Sequence, residues 1–179
     1  MSGRISKFFT GSGKKMTTKD YIIIALMIAL GFVMPMYMPA VIIGDFTATL
    51  ASHVPIMIAM FISPVAALLT AIGTALSFML KLGIIVFMRA ATHVVFALIG
   101  AFVLLRPSIR HNPIKFAALA LPLGILHAAC ECMVVYIMLP TPPEQILYLV
   151  GLGSFTHHCI DSVIAYGVYT VLHKGKLLS

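Results

Sequence analysis

The chain has 179 residues, of which 61% are hydrophobic and only 9% are charged. Because a soluble domain carries about 25% charged residues, this composition excludes a water-exposed globular surface and requires lipid around most of the molecule. The formal net charge of +7 does not indicate nucleic-acid binding, since the basic residues flank apolar runs instead of forming a groove. At about 20 residues per span the chain holds at most about seven spans, so we expect one membrane domain.

Apolar runs separated by proline, glycine and charge predict an all-α polytopic membrane protein with six transmembrane helices. The predicted helices cover residues of about 20–35, 46–62, 64–80, 83–105, 114–139 and 146–172. The expected organisation is a cytosolic basic tail at 1–19, a six-helix membrane domain at 20–173 and a cytosolic tail at 174–179. The first tail lacks the small-residue cleavage site of a secretory signal peptide. Pro35 and Pro39 break the chain after the first helix, so residues 36–45 are expected to form a loop.

The distribution of lysine and arginine predicts cytoplasmic N- and C-termini in a multi-pass protein of the plasma membrane. Five basic residues precede the first apolar run, and Lys174 and Lys176 follow the last one. The connection between the fourth and fifth predicted helices is also basic, whereas the predicted outer side has only Lys81 near a loop. An even number of crossings then returns the C-terminus to the cytoplasmic side.

Small residues recur at four-residue spacing, which places them on one face of a helix. Ala25 and Ala29 form such a pair on the first helix. Longer or similar stripes follow on the third and fourth helices, at Ala67, Ala71, Ala75, Ala97 and Ala101. Such faces allow close helix packing in lipid, and the pattern leaves open whether each packs internally or docks another membrane protein.

Polar side chains are paired on three successive predicted helices, although ionisable groups are costly inside a membrane. The pairs are Arg89 and His93, then His127 and Glu131, and finally His157 and His158 with Asp161. Since residues four apart share a helix face, we expect one interior binding site that opens to the outer side. Tyr37 is expected to add a ring contact from the first loop. The alternative is that these groups pair only with each other, for example Arg89 with Glu131 or Asp161, and hold the helices together.

The chemistry of this set favours a small polar heterocycle as the ligand. Arg89 offers a fork of donors to a carboxylate or phosphate, and the two acidic residues accept from amino or hydroxyl groups. The His, Glu and Asp side chains also suit a metal, so a metal-dependent hydrolase or a metal-ion carrier is the alternative reading. The H-E-x-x-H motif is absent, and so is the phosphate-binding G-x-x-x-x-G-K-[ST] motif. We therefore expect a binding protein with no metal, no cofactor and no enzymatic activity.

Three segments carry a resemblance to a known family. They are Ala-Leu-Met-Ile-Ala at 25–29, Leu-Ala-Ser-His-Val-Pro-Ile-Met-Ile-Ala-Met-Phe-Ile-Ser-Pro-Val-Ala at 50–66, and Arg-Ala-Ala-Thr-His-Val-Val-Phe-Ala at 89–97. Together with six short helices in fewer than 200 residues, they make the chain resemble an S-component of the energy-coupling factor (ECF) vitamin transporters from Thr17 to Lys174.

The resemblance implies a division of labour. An S-component binds a vitamin or precursor in an outward pocket built by helices 4 to 6 and the first loop. It docks through the Ala25–Ala29 face onto a transmembrane coupling protein, and two ABC-type ATPases drive uptake. The chain is most similar in appearance to members for hydroxymethylpyrimidine or pyridoxine, with niacin and pantothenate next. Arg89 by itself favours a carboxylate such as niacin.

Overall fold

A computed structural model describes residues 3–11 and 17–178 of the chain. A short helix α1 (Gly3–Thr10) is followed by α2 (Thr18–Tyr37) and a hairpin of β1 (Ala40–Ile43) and β2 (Phe46–Thr49). The chain continues through α3 (Val54–Met60), α4 (Pro64–Leu82), α5 (Ile84–Ala91), α6 (His93–Leu104), α7 (Pro107–Arg110), α8 (Pro113–Met138) and α9 (Pro143–Gln145). A π-helical turn (Ile146–Gly151) then leads into α10 (Leu152–Lys174).

Four helices in the described part of the chain are long and apolar enough to cross a membrane. They are α2, α4, the α5–α6 pair taken as one span over Ile84–Leu104, and α8. The all-α polytopic class predicted from the sequence is confirmed. The last helix, α10, has 23 residues but carries His157, His158 and Asp161 in place of apolar side chains.

The predicted second helix at about 46–62 is wrong over its first half. Its opening residues form strand β2, which pairs antiparallel with β1 so that Ile43 faces Phe46. Gly44 supplies the positive φ of 57° that the two-residue turn needs, and the flanking runs are rich in β-branched residues. The remaining helix, α3, has only seven residues, and every one of them is buried. A helix enclosed by its neighbours does not need the length that a lipid-facing span requires.

The basic tail is partly structured. Within it, α1 lies against the bundle, with the ring of Phe8 stacked on Phe102 at 6.0 Å. Lys14 and Lys15 lie outside the described residues. Lys19 donates from Nζ to the carbonyl of Lys176, so the start of α2 and the end of α10 lie at one end of the molecule. This agrees with an even number of crossings, and the cytoplasmic location of that end stays a prediction.

Close packing of α2 on α4 depends on a glycine. A Cβ atom built on Gly31 lies 2.8 Å from Thr74 Oγ1, 2.9 Å from Thr70 Cγ2 and 3.2 Å from the Thr70 carbonyl oxygen. Both threonine hydroxyls already donate to carbonyls one turn back in α4, so they are not free to move aside. The absence of a side chain at Gly31 therefore allows α2 to pack this closely on α4.

We expect Gly31→Ala to destabilise the protein by about 1–3 kcal/mol, the usual cost of overpacking a well-filled interface. Thermal unfolding in detergent measures the effect. Gly167→Ala is the matched control, because a Cβ at Gly167 in α10 meets nothing within 4 Å. That control is expected to unfold at or slightly above the wild-type temperature, since alanine favours helix over glycine. Equal unfolding temperatures for both variants would contradict this account of α2–α4 packing.

Candidate ligand-binding site

Glu131 of α8 is the centre of a buried polar network. Its Oε2 atom accepts from Arg89 Nη2 at 2.7 Å and from the Ser154 hydroxyl. Its Oε1 atom faces the histidines, at 3.4 Å from His93 Nε2 and 3.8 Å from His127 Nε2. The two carboxylate oxygens therefore face different partners, one cationic and one imidazole.

Arg89 joins this network to the hairpin. Its Nη1 donates to the Asp45 carbonyl at 2.8 Å and to Thr47 Oγ1 at 2.9 Å. The residue is 2% exposed. Its Nε is buried and has no hydrogen-bond partner among the residues that the structure describes. An unpaired buried N–H costs about 1–3 kcal/mol, so this donor marks a place where a ligand acceptor is favoured.

His53, directly before α3, connects the network around Glu131 with Asp161 of α10. Its backbone N–H donates to Asp161 Oδ2 at 3.0 Å, and its ring Nδ1 lies 3.3 Å from the same oxygen. Its Nε2 lies 3.4 Å from His93 Nε2. Asp161 also pairs with His157 Nε2 at 2.8 Å. The network thus runs without interruption from Arg89 on α5 to Asp161 on α10.

Local helix irregularities place these side chains. The fourth predicted helix is broken at Thr92, whose hydroxyl donates to the Arg89 carbonyl at 2.7 Å. The π-helical turn lies directly before Ser154 and His157, at the start of the last long helix. Breaks of both kinds are frequent at functional sites.

A small cavity, called the polar cavity below, lies at the centre of the network. It is lined by residues of the hairpin, α4, α5, α6, α8 and α10, among them Arg89, His93, His127, Glu131, Ser154 and His157. Its volume of about 20 Å³ has room for about one water molecule. Strand β2 covers the cavity on one side with residues 46–49.

A larger cavity lies on the other side of the hairpin. It has a volume of about 450 Å³ and is mainly apolar, with His157 and Asp161 among its lining residues. Phe46 lines both cavities. A Cβ built on Gly153 would lie 2.6 Å from this ring, which shows how closely Phe46 seats against α10. The two cavities are therefore neighbours that share Phe46, Ala48 and His157 as lining residues.

The structure brings together most of the predicted site residues. Six of the eight join one hydrogen-bonded or ion-paired network or lie within 4 Å of it: Arg89, His93, His127, Glu131, His157 and Asp161. His158 is buried beside Phe96, with ring centroids 4.9 Å apart, and in the described part of the chain it lines neither cavity. The structure does not support Tyr37 as a site residue: α2 continues past Pro35 to end at Tyr37, whose side chain is 82% exposed and lines neither cavity.

Three residues of the polar network are missing from the predicted site residues, namely His53, Thr47 and Ser154. His53 had a signal, since a histidine inside an apolar run is as costly as those on the other helices. The signal for Thr47 was Gly44-Asp45 between two β-branched runs, which is typical of a hairpin. Ser154 had none, because an isolated serine in a helix is common.

The alanine stripes differ in burial. Those of α4 and α6 are almost fully buried and serve internal packing: Ala67, Ala71, Ala75, Ala97 and Ala101. Ala25 and Ala29 instead lie on the exposed side of α2, whose buried residues are Ile24, Met27, Gly31 and Pro35. Within the described part of the chain, the surface formed by Ala25 and Ala29 is therefore not covered by internal packing.

Fold and site define a polytopic membrane protein with a buried polar network between its helices and a hairpin. The niacin transporter NiaX of Lactococcus lactis subsp. cremoris (strain MG1363) is 38% identical over 173 residues, which cover 90% of this chain and 78% of the relative. The chain belongs to the substrate-binding S-components of the ECF vitamin transporters. No family model matches the chain, and no solved structure matches it.

This relationship confirms several predictions. The protein is a multi-pass plasma-membrane component of a vitamin uptake system and not an enzyme. Its partners are subunits of an ECF module. The preference for hydroxymethylpyrimidine or pyridoxine gains no support from the relative, whose name specifies niacin.

Proposed function

We propose that this S-component captures niacin, or a closely related pyridine carboxylate, for ATP-driven uptake. The observation that carries the proposal is the unpaired Nε of Arg89, a buried donor on the wall of the polar cavity. A guanidinium binds a carboxylate through its planar fork, and a donor that is already desolvated gains most from an anionic acceptor. The name of the relative from Lactococcus lactis supports the same substrate.

The surroundings of Arg89 suit a flat ring. His93, His127, Phe46 and Phe78 line the cavity and offer aromatic faces or edges. Ser154 and the histidines are the hydrogen-bonding groups available to a pyridine nitrogen. A neutral aminopyrimidine alcohol would leave the Arg89 Nε without an anionic partner, which is why a carboxylate is the better fit.

Binding of a ring in this cavity requires that the hairpin move, because the cavity has room for about one water molecule. Apart from the packing of Phe46, the hairpin is fastened by polar contacts: Arg89 holds Asp45 and Thr47, and the Asp45 carboxylate accepts from Thr141 Oγ1 at 2.6 Å. Such contacts exchange readily for contacts with a ligand. The hairpin is thus placed to open and then to close over the vitamin.

For the energising partners, we propose one transmembrane coupling protein that contacts α2 through Ala25 and Ala29, and two ABC-type ATPases bound to it. Exposure of both alanines supports the contact, since helices in lipid associate by close backbone packing at small residues. The chain supplies the substrate site, and the phosphate-binding loop that hydrolyses ATP is absent from its sequence.

Thermal stabilisation of the purified chain against a vitamin panel tests the substrate. Niacin at 100 times its dissociation constant is expected to stabilise the folded state by about 2.7 kcal/mol. Nicotinamide, which has the same ring without the carboxylate charge, is the matched control and is expected to stabilise much less. Hydroxymethylpyrimidine, pyridoxine and pantothenate complete the panel. Stabilisation by one of these, with none by niacin, would overturn the substrate assignment while leaving the transport class intact.

A further inference from the structure

Three histidine rings come together in the lining of the polar cavity. The ring centroids of His53, His93 and His127 lie 4.6, 4.8 and 4.9 Å apart in pairs. One ring nitrogen from each lies within 4.8 Å of those of the other two. All three residues are buried, with exposures of 4% or less.

The hydrogen bonding of these rings is incomplete. His127 lines the cavity and is 1% exposed, yet neither of its ring nitrogens has a hydrogen-bond partner in the part of the chain that the structure describes. His93 Nδ1 is likewise unpaired within residues 3–11 and 17–178. Since buried polar groups are almost always satisfied, this cluster lacks a partner.

The Asp161 carboxylate lies beside the His53 ring. Its Oδ2 is 3.3 Å from His53 Nδ1, but the two atoms form no hydrogen bond, so Nδ1 is another buried ring nitrogen without a hydrogen-bond partner among the described residues. His53 Nε2 faces His93 Nε2 at 3.4 Å, and Glu131 Oε1 lies 3.4 Å from the same His93 atom. A carboxylate behind a histidine is the usual outer support of a metal-binding imidazole.

Two distances in this cluster match those of a tetrahedral cation site, and the ring nitrogen of His127 lies within 4.8 Å of those of the other two histidines. Zinc binds imidazole nitrogen at about 2.0–2.1 Å, so two ligand atoms of a tetrahedral site lie about 3.3–3.4 Å apart. The distances from His93 Nε2 to His53 Nε2 and to Glu131 Oε1 are both 3.4 Å. We infer that His53, His93 and His127 bind a divalent transition-metal ion, with Zn²⁺ as the reference cation and Glu131 Oε1 beside the fourth position.

A bound metal ion would change the net charge of the network and so favour binding of a carboxylate. This inference rests on the proposed binding of niacin. With neutral histidines, Arg89 is the one positive side chain against the negative charges of Glu131 and Asp161. The network then has a net negative charge that opposes a carboxylate. A dication makes the network net positive by one unit, which a single carboxylate neutralises. Metal and niacin are therefore expected to bind with positive cooperativity.

The metal is tested first, in the absence of any vitamin. The full chain, purified through a tag without histidine and stripped with a chelator, is titrated with Zn²⁺ by calorimetry. One equivalent is expected to bind, and Co²⁺ is expected to show the intense visible absorption of a tetrahedral complex. Absence of stoichiometric binding, or an octahedral Co²⁺ spectrum, would overturn the inference.

Substitution of His127 identifies the ligands. His127→Asn is expected to weaken Zn²⁺ binding by more than about tenfold, which is the loss that even outer-shell changes produce. His127→Cys keeps a ligand, so it is expected to fold, to retain Co²⁺ and to add a thiolate charge-transfer band. The double variant His111→Gln and His173→Gln removes the stacked histidine pair elsewhere in the molecule and is expected to bind as the wild type does.

A second triad, His53 with His157 and Asp161, shares one residue with the first. Zn²⁺ binding that survives His127→Asn but is lost in His157→Asn would overturn the assignment to His127. Niacin and metal are then measured together. Zn²⁺ binding without niacin binding contradicts the proposed substrate alone, whereas full niacin affinity in chelator-stripped protein contradicts the linkage of metal and vitamin.

Discussion

Arg89→Ala is expected to weaken niacin binding by about 2–5 kcal/mol, or about 30-fold at the least. The substitution removes the unpaired Nε together with both Nη groups that position the hairpin and Glu131. It also leaves the Glu131 carboxylate buried without its cation, and such a loss destabilises proteins by about 3–5 kcal/mol. Calorimetric affinity and thermal unfolding must therefore be measured on the same preparations.

Arg89→Lys separates the two effects. Lysine keeps a positive charge beside Glu131, so the unfolding temperature is expected to stay close to that of the wild type. It lacks the planar fork that matches a carboxylate, so niacin binding is expected to fall by about tenfold or more. Wild-type affinity in a well-folded Arg89→Lys protein would contradict fork recognition. It would favour the alternative that Arg89 only holds the helices together.

Combined Ala25→Trp and Ala29→Trp substitutions are expected to abolish niacin uptake by the assembled ECF complex and to leave vitamin binding by the isolated chain unchanged. Both alanines face away from the body of the protein, so tryptophan is accommodated in the free subunit. A neighbouring helix that packs against this shallow face would be pushed away. Uptake by reconstituted proteoliposomes and co-purification with the coupling protein measure the effect.

The matched control uses two exposed alanines of α8, Ala118 and Ala129, each replaced by tryptophan. This variant adds the same bulk to another lipid-facing surface and is expected to transport normally. Two results would contradict docking through α2: full uptake by the Ala25→Trp and Ala29→Trp protein, or a parallel loss of stability and vitamin binding in that protein. The second result would assign the alanines to internal packing.

Periodicity predicted the long helices well because their sequences combine span length with uninterrupted apolar character. The first and fifth predicted helices, at about 20–35 and 114–139, correspond to α2 (Thr18–Tyr37) and α8 (Pro113–Met138) within a few residues. The second helix was misplaced because Phe46 to Thr49 is apolar or small at every position. Hydropathy does not distinguish a short buried strand from the start of a helix.

The pairing of polar residues was predictable for a physical reason. A charged side chain in lipid must find a partner, and four-residue spacing on three helices restricts where those partners lie. The spacing of polar residues along one helix does not determine which side chain of another helix each of them contacts. The contact between Arg89 and Glu131 was one of two pairings that the sequence left open, and the structure selects it at 2.7 Å.

The sequence by itself determined that this chain is an all-α membrane protein, that Arg89 and Glu131 lie in its interior, and that it resembles the family to which it belongs. These properties depend on local composition and spacing, which a single chain displays without folding. Only the tertiary structure decided that His53 is the link between Glu131 and Asp161, and that Tyr37 and the Ala25 face are exposed. Each of these properties depends on how separate helices and strands pack together. Contacts between residues that are distant in the chain are determined by this packing and not by the local sequence around either residue.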